Sequence, residues 1–451
     1  MSLYSTSVST ATIDPVFHSS RRCTFSLGLT DQAYLPNLRL GNLGVQANTT
    51  TEYALGCGVA GSIARITLLD GEEEIDSLRQ VNSWLTFRSF FRPNADAAYI
   101  KQPLEGGSGR GFTSSTSMET VVPLPFRKYA TNAAGLVNNQ HIHTGTLDLR
   151  EVFPILGSMT HLSTAIFKNL RIVIEYETDQ ARMLVQDNRA ASPLVPILMA
   201  DEITDQALIQ TLDKQLMSSP VFWDAVEMDQ IGVKAISDTD NDGSTVALRA
   251  ENTQIVALQS AGFLGKYVKR MMIKKSPQNK ALNVVGTNVQ GFGANGSLSM
   301  NKEQINLRVN GRSLLGGRGY TTPAQMAMGT SDVWGEINAP AYGAVQSVGL
   351  DAARDDAENA PAGVAPTEPS ILTVGTAPRH AATTGQQSYC SFNMESRVDN
   401  LIIEYQRTGR FQAPNIIGQG GTGVAIDLTC FAEVSKSLTV MGGGKWRIQY
   451  V

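Results

Sequence analysis

The sequence predicts an all-β protein, and three observations carry that prediction. Its 451 residues include 41 glycines and only 17% charged residues, the make-up of a chain with many tight turns and short strands. Apolar and polar residues alternate with period two in stretch after stretch. One such stretch occurs twice: Ile172–Tyr176 reads I-V-I-E-Y, and Leu401–Tyr405, half the chain away, reads L-I-I-E-Y. Alternation puts Ile172, Ile174 and Tyr176 on one face, as it does Leu401, Ile403 and Tyr405, and points Glu175 and Glu404 the other way. The match predicts two successive sets of strands, and the length suits two all-β domains.

Taken in order, residues 1–20 are Ser/Thr-rich without an apolar period, which predicts an N-terminal arm that orders on a partner. A first domain spans 21–204. Its strands are CTFSLGL (23–29), NLRLGNLGV (37–45), ARITLLD (64–70), HIHTGTLDLREVFPIL (141–156), NLRIVIEYET (169–178) and PLVPILMADEI (193–203). After the Asp70-Gly71 turn, GEEEIDSLR predicts a short helix with an acidic start. Residues 100–118 are a surface loop by composition. A helical connector follows at 205–220, with Ala207, Leu208, Leu212 and Leu216 at helical spacing and Pro220 to end it. The second domain, 221–451, holds FWDAVEMDQIGVKAI (222–236), KYVKRMMIKK (266–275) and EQINLRVNGRSLL (303–315), the last turning at Asn310-Gly311, the strongest short hairpin signal. Residues 338–385 are a Gly/Ala/Pro-rich excursion, and four strands close the chain at 388–395, 400–407, 424–434 and 445–451.

Composition excludes several function classes. A net charge of −4, without long basic runs, lacks the stripe that phosphate-backbone binding needs, so direct nucleic-acid binding is disfavoured. Cys23, Cys57, Cys390 and Cys430 form no C-x-x-C pair and predict reduced, buried thiols. The N-terminus has neither a basic nor an apolar leader segment, which predicts a protein not secreted by that route.

Each candidate chemical motif has a plainer structural account. DTDNDG places Asp238, Asp240 and Asp242 at the first, third and fifth positions of a calcium loop, with Gly243 sixth. The twelfth position is Arg249, a cation where a bidentate glutamate is needed, and Glu251 comes two residues late, so a hairpin turn is expected. His141 and His143 share one strand face and, with His161, could hold a metal; a polar strand face explains them as well. Glycine-rich pieces at 106–112, 262–267 and 442–446 fail the phosphate-loop pattern, because Tyr267 and Trp446 stand where its hydroxyl belongs. Glu175 and Glu404 could pair as in a glycosidase, but alternation makes them solvent-facing strand residues first. The sequons at Asn48 and Asn295 read as loops. Trp84, Trp223, Trp334 and Trp446 lie in or beside apolar strand-like segments, which predicts core packing over a lectin surface. No catalytic residue, metal site or cofactor is expected.

INLRVNGRSLLGGRGYTTPAQMAMGTSDVWGEIN, Ile305–Asn338, resembles the second half of double-jelly-roll major capsid proteins of polinton-like viruses, virophages and adintoviruses, at Val309, Asn310, Gly311, Arg312, Trp334, Gly335 and Glu336. YLPNLRLGNLGV, LDLREVFPIL with LRIVIEY, ILMADEI, WDAVEMD and GGGKWRIQYV extend the resemblance over most of the chain. It implies two tandem eight-stranded antiparallel jelly rolls, a homotrimer of pseudo-hexagonal outline, and an icosahedral shell around double-stranded DNA. Penton and minor capsid proteins would be partners and the virion the location. A tandem jelly-roll carbohydrate-active enzyme or a lectin-like binding protein is the alternative.

Overall fold

The structure, a computed structural model, describes residues 8–28, 32–47, 58–89, 111–113, 120–122, 127–128, 141–178, 191–233, 251–257, 262–277, 302–316, 319–320, 329–330, 332–335, 389–408, 426–441 and 444–451. In the first half the strands are β1 (Val8–Ile13), β2 (Phe17–His18), β3 (Arg22–Ser26), β4 (Ala33–Tyr34), β5 (Arg39–Ala47), β6 (Ile63–Asp70) and β7 (Glu73–Arg79). Helix α1 (Val81–Ser89) follows, then β8 (Gly111–Thr113), β9 (Thr120–Val122), β10 (Arg127–Lys128), β11 (His141–Asp148) and the short helix α2 (Pro154–Ser158). The half closes with β12 (Leu162–Ser163), β13 (Leu170–Tyr176), β14 (Ala191–Pro193) and β15 (Ile197–Ile203). Helix α3 (Gln206–Ser218) leads into β16 (Val221–Val233), β17 (Glu251–Ala257), β18 (Lys266–Pro277), β19 (Lys302–Val309) and β20 (Arg312–Ser313). The last strands are β21 (Tyr389–Val398), β22 (Leu401–Thr408), β23 (Ile426–Met441) and β24 (Lys445–Tyr450).

Each half is a sandwich of two antiparallel sheets, and the two repeat one topology. Take β1, β3, β5, β6, β7, β11, β13 and β15 in the first half and β16 to β23 in the second. In both, one sheet pairs the first, eighth, third and sixth strands and the other pairs the second, seventh, fourth and fifth. That order is a jelly roll made twice. Strand β13 lies between β3 and β6, and β22 lies between β17 and β19, so the two I-E-Y strands hold the same place in their sandwiches. Ile172, Ile174 and Tyr176 are buried, as are Leu401, Ile403 and Tyr405, and Glu175 is exposed, as period-two alternation requires. The count is not a plain eight: β2, β4, β10, β12 and β14 widen the first sandwich and β24 the second.

Three sequence expectations are corrected. Residues 8–18 are not an arm: β1 pairs with β15 over six residues, and β2 pairs with β3. The Ser/Thr content that suggested disorder suits an edge strand whose β-branched residues are half in water, and β1 satisfies the backbone groups that β15 would otherwise leave open. Residues 73–79 are a strand and not a helix. Gly71 turns the chain at φ +64°, and Ile75 and Leu78 are buried across from β6, where the register shifts between Leu68 and Leu69. A bulge breaks the alternation there, so the sequence looked helical. Finally, 149–156 leaves the strand for helical turns, capped where the Asp148 carboxylate accepts the Arg150 N–H and with Pro154 at the start of α2. Strand β17 was not foreseen.

Where sequence signals were strong they became structure. Asn310 and Gly311 take φ +50° and +81°, the left-handed pair a tight hairpin needs. Asp205 caps α3 by accepting from the Ala207 and Leu208 N–H groups. That helix buries Ile209 against Ala33 and Ile203, with Leu208 and Leu212 partly covered.

Candidate functional site

Among the described residues, buried aromatic and charged side chains gather along the seam between the sandwiches. Strand β23 builds it. Its length lets one end, through Leu428, Cys430, Ala432 and Val434, fill the second sandwich, while Phe431, Leu438 and Val440 join the core of the first. Trp223, Met272 and Trp334 cross in the same way, so the first core is completed by residues of the second half.

At one end of the seam Trp84 and Phe87 of α1 meet Trp334 and Phe431. The Trp84 ring stands edge-on to Trp334 at 5.6 Å and stacks on Phe431 at 5.7 Å; Phe87 stands edge-on to Trp334 at 5.1 Å. These are the geometries that aromatic quadrupoles favour. The Arg270 guanidinium lies 3.8 Å from the Trp334 ring centroid, donates to both Glu433 carboxylate oxygens at 2.5 and 3.3 Å, and reaches the Val333 carbonyl at 3.2 Å. A planar cation stacked on indole and forked onto a carboxylate fixes both partners. Beside it Lys269 pairs with Asp224 at 2.9 Å, and the Ser435 hydroxyl donates to the other Asp224 oxygen. A cavity of about 570 Å³ opens here, walled by Trp84, Arg88, Glu151, Phe222, Arg270 and Glu433.

Next to this cluster lie further polar contacts. Asp76 of β7 is 1% exposed and accepts only backbone N–H groups, from Ser77 at 3.0 Å and Ile155 at 3.4 Å. Burial pushes its carboxyl up to about 7, against the pull of Lys436. The Lys436 ammonium instead sits 2.8 Å from Glu227, which also accepts the Tyr450 hydroxyl at 3.1 Å. Burial alone would raise the Glu227 carboxyl, but Lys436 outweighs it and holds it below the usual range. The Lys266 ammonium lies 3.3 Å from the Tyr450 ring centroid. Strand β24 adds a clasp: the Trp446 indole N–H donates to Asp70 at 2.8 Å, its ring faces Phe167 at 6.0 Å, and Gly444 turns at φ +71° beside the Ala165 carbonyl. Gln80 with Gln230, and Lys274 with Ser83, are two more hydrogen bonds across the halves.

The residues singled out from sequence fall elsewhere or serve packing. Asp238, Asp240 and Asp242 lie outside the described residues, as do Asn48, Asn295 and the side chains of His141 and His143. His161 is buried and linked to Asp213 of α3 at 2.7 Å, with Thr160 on its other nitrogen and Ser163 on the second Asp213 oxygen, a polar bolt for the connecting helix. Among the described residues no group of three or more His, Cys, Asp or Glu could hold a metal ion, and no helix is long and apolar enough to cross a membrane. Glu175 and Glu404 sit on corresponding strands of different sandwiches and are not brought together; Glu404 pairs with Arg308 at 2.6 Å. Cys23, Cys390 and Cys430 are free and buried, and burial raises all three thiols. Trp84, Trp223 and Trp334 are buried and Trp446 half-buried, as core packing required. Sequence reasoning missed Asp76, Glu227, Arg270, Glu433 and Lys436. Their signal was weak: a charged residue on a strand reads as solvent-facing until a second sheet is known to cover it.

No protein-family model matches the chain, and no curated protein is similar to it in sequence. Solved structures are similar in fold. The mavirus major capsid protein superposes with a TM-score of 0.55 at 10% identity, covering 100% of this chain and 91% of that one. A chain of the Sputnik virophage does so with a TM-score of 0.55 at 8% identity, covering 99% and 88%. Identity this low speaks to the fold alone. The chain is a double jelly roll, similar along its whole length to the fold of the mavirus major capsid protein.

Proposed function

We propose that this chain is a major capsid protein, a structural component that forms homotrimers of pseudo-hexagonal outline and tiles an icosahedral shell around a double-stranded DNA genome. The observation that carries the reading is the same strand order built twice in one chain and fused through a shared core. Three such chains around a threefold axis present six similar sandwiches, and the fused seam keeps each pair at one angle. The whole-length similarity in fold to the mavirus major capsid protein supports it. The work of such a protein is geometric and needs no reaction; the charged seam residues Arg270, Glu433, Lys436 and Glu227 are paired with one another. Its location would be the virion, with penton and minor capsid proteins as further partners.

Light scattering of the purified chain at micromolar concentration should return three times the mass of one chain, and negative-stain images should show pseudo-hexagonal particles. A strictly monomeric protein that hydrolyses a chromogenic glycoside or binds a glycan array would overturn the reading in favour of the carbohydrate-active alternative.

A further inference from the structure

Asp76 has an arrangement that packing alone does not call for. It projects from β7 of the first sandwich into the polar part of the seam, fully buried, without a cation within 4 Å among the described residues. Four of the described elements face it. Strand β6 covers it with Leu68, its register partner, and α2 offers only the Ile155 N–H, since Pro154–Ser158 contains no ionisable residue. The second sandwich presents Lys436 from β23 and Glu227 from β16, with Tyr450 and Lys266 behind them. Lys436 is committed to Glu227 at 2.8 Å, so it offsets the Asp76 charge only partly, and Glu227 opposes it.

We infer that Asp76 makes the seam between the two sandwiches proton-responsive: uptake of one proton in mildly acidic conditions tightens the joint, and its loss at alkaline pH loosens it. A neutral carboxyl keeps its carbonyl oxygen as acceptor toward Ser77, carries its proton on the oxygen at the longer contact to Ile155, and ends the competition with Glu227 for Lys436. The sign follows from linkage. The carboxyl titrates at about 7 in the folded chain against 3.8 as its ordinary value. The folded state therefore holds the proton more tightly, and the stabilisation is complete below the ordinary value and lost as pH rises through about 7. The inference stands on the seam and does not need the capsid reading.

The test is thermal unfolding of the full chain between pH 5.5 and pH 8.0, beside Asp76→Asn, which mimics the protonated side chain. Wild type should lose roughly 2 °C more than the variant over that interval. Hydrogen exchange of wild type, corrected for the intrinsic pH dependence, should show segments 73–80 and 150–158 better protected at pH 5.5. This second measurement decides the matter if the variant does not fold. Equal slopes in the two proteins, or equal corrected protection at both pH values, would overturn the inference. Light scattering on the same samples keeps it separate from the oligomeric state: a non-trimer would count against the capsid reading and leave the pH slope intact.

Discussion

Trp334 shows at the residue scale how one side chain can join two sandwiches. It is 8% exposed, flanked by Trp84 and Phe87 of α1 and covered by Arg270. Trp334→Ala should cost about 3–5 kcal/mol in urea unfolding, because it leaves a cavity and strips the aromatic partner from an ion-paired guanidinium. Trp446→Phe makes a useful contrast. It keeps an aromatic ring against Phe167 and loses the indole donor to Asp70, which still accepts the Asn169 N–H at 2.7 Å, together with the smaller packing of the fused ring. About 1 kcal/mol should be lost there. A variant pair with the opposite ranking would show that the clasp and not the aromatic cluster holds the seam. The sequence marked both tryptophans as core residues from their apolar neighbours. It could not mark Arg270 and Glu433, whose partners come from β18 and β23, strands far apart in the chain and adjacent in the sheet.

Turns and caps decide stability at the element scale. Gly311 and Gly319 both have positive φ, +81° and +66°, yet their surroundings differ. A Cβ at Gly311 meets nothing within 4 Å, whereas one at Gly319 would stand 2.5 Å from the Ile305 carbonyl oxygen. Gly311→Ala should therefore cost only the backbone strain, about 1–2 kcal/mol, and Gly319→Ala clearly more, since it also pushes on the Ile305–Tyr320 bridge. Asp205→Ala removes the acceptor for two N–H groups of α3 and should cost about 1 kcal/mol. Equilibrium unfolding of the three variants checks all of these. The Asn310-Gly311 turn and the helix at 205–220 were legible because each follows from a local pattern of the chain. The strand at 73–79 was not, because a bulge at Ile75 breaks its own alternation and only the pairing with β6 reveals it.

For the whole molecule, the shared core makes the halves interdependent. Residues 221–451 expressed alone should expose Phe431, Leu438, Val440 and Trp446, bind a hydrophobic dye and aggregate. Co-expression with residues 1–220 should restore a soluble pair. If the second half alone is monodisperse with the unfolding cooperativity of a native domain, the seam is a surface contact and not a core. The same fusion gives the proposed trimer its geometry, because two sandwiches that share a core cannot hinge freely about the α3 connector.

The sequence by itself determined the class and the duplication. Period-two alternation fixes which residues of a strand face inward, and the matching I-E-Y strands took the same position in both sandwiches because that alternation is a property of the strand alone. It also determined the local devices, the Asn-Gly turn and the connecting helix at 205–220. Only the tertiary structure decided what covers each sheet. Glu227 and Lys436 lie on the outer face of the second sandwich, where Lys436 is buried and Glu227 half-buried because the first sandwich lies against them, and Asp76 reaches them from the β7 face it shares with the core residue Leu78. Burial of a strand's outer face depends on a partner hundreds of residues away, and no local pattern encodes it.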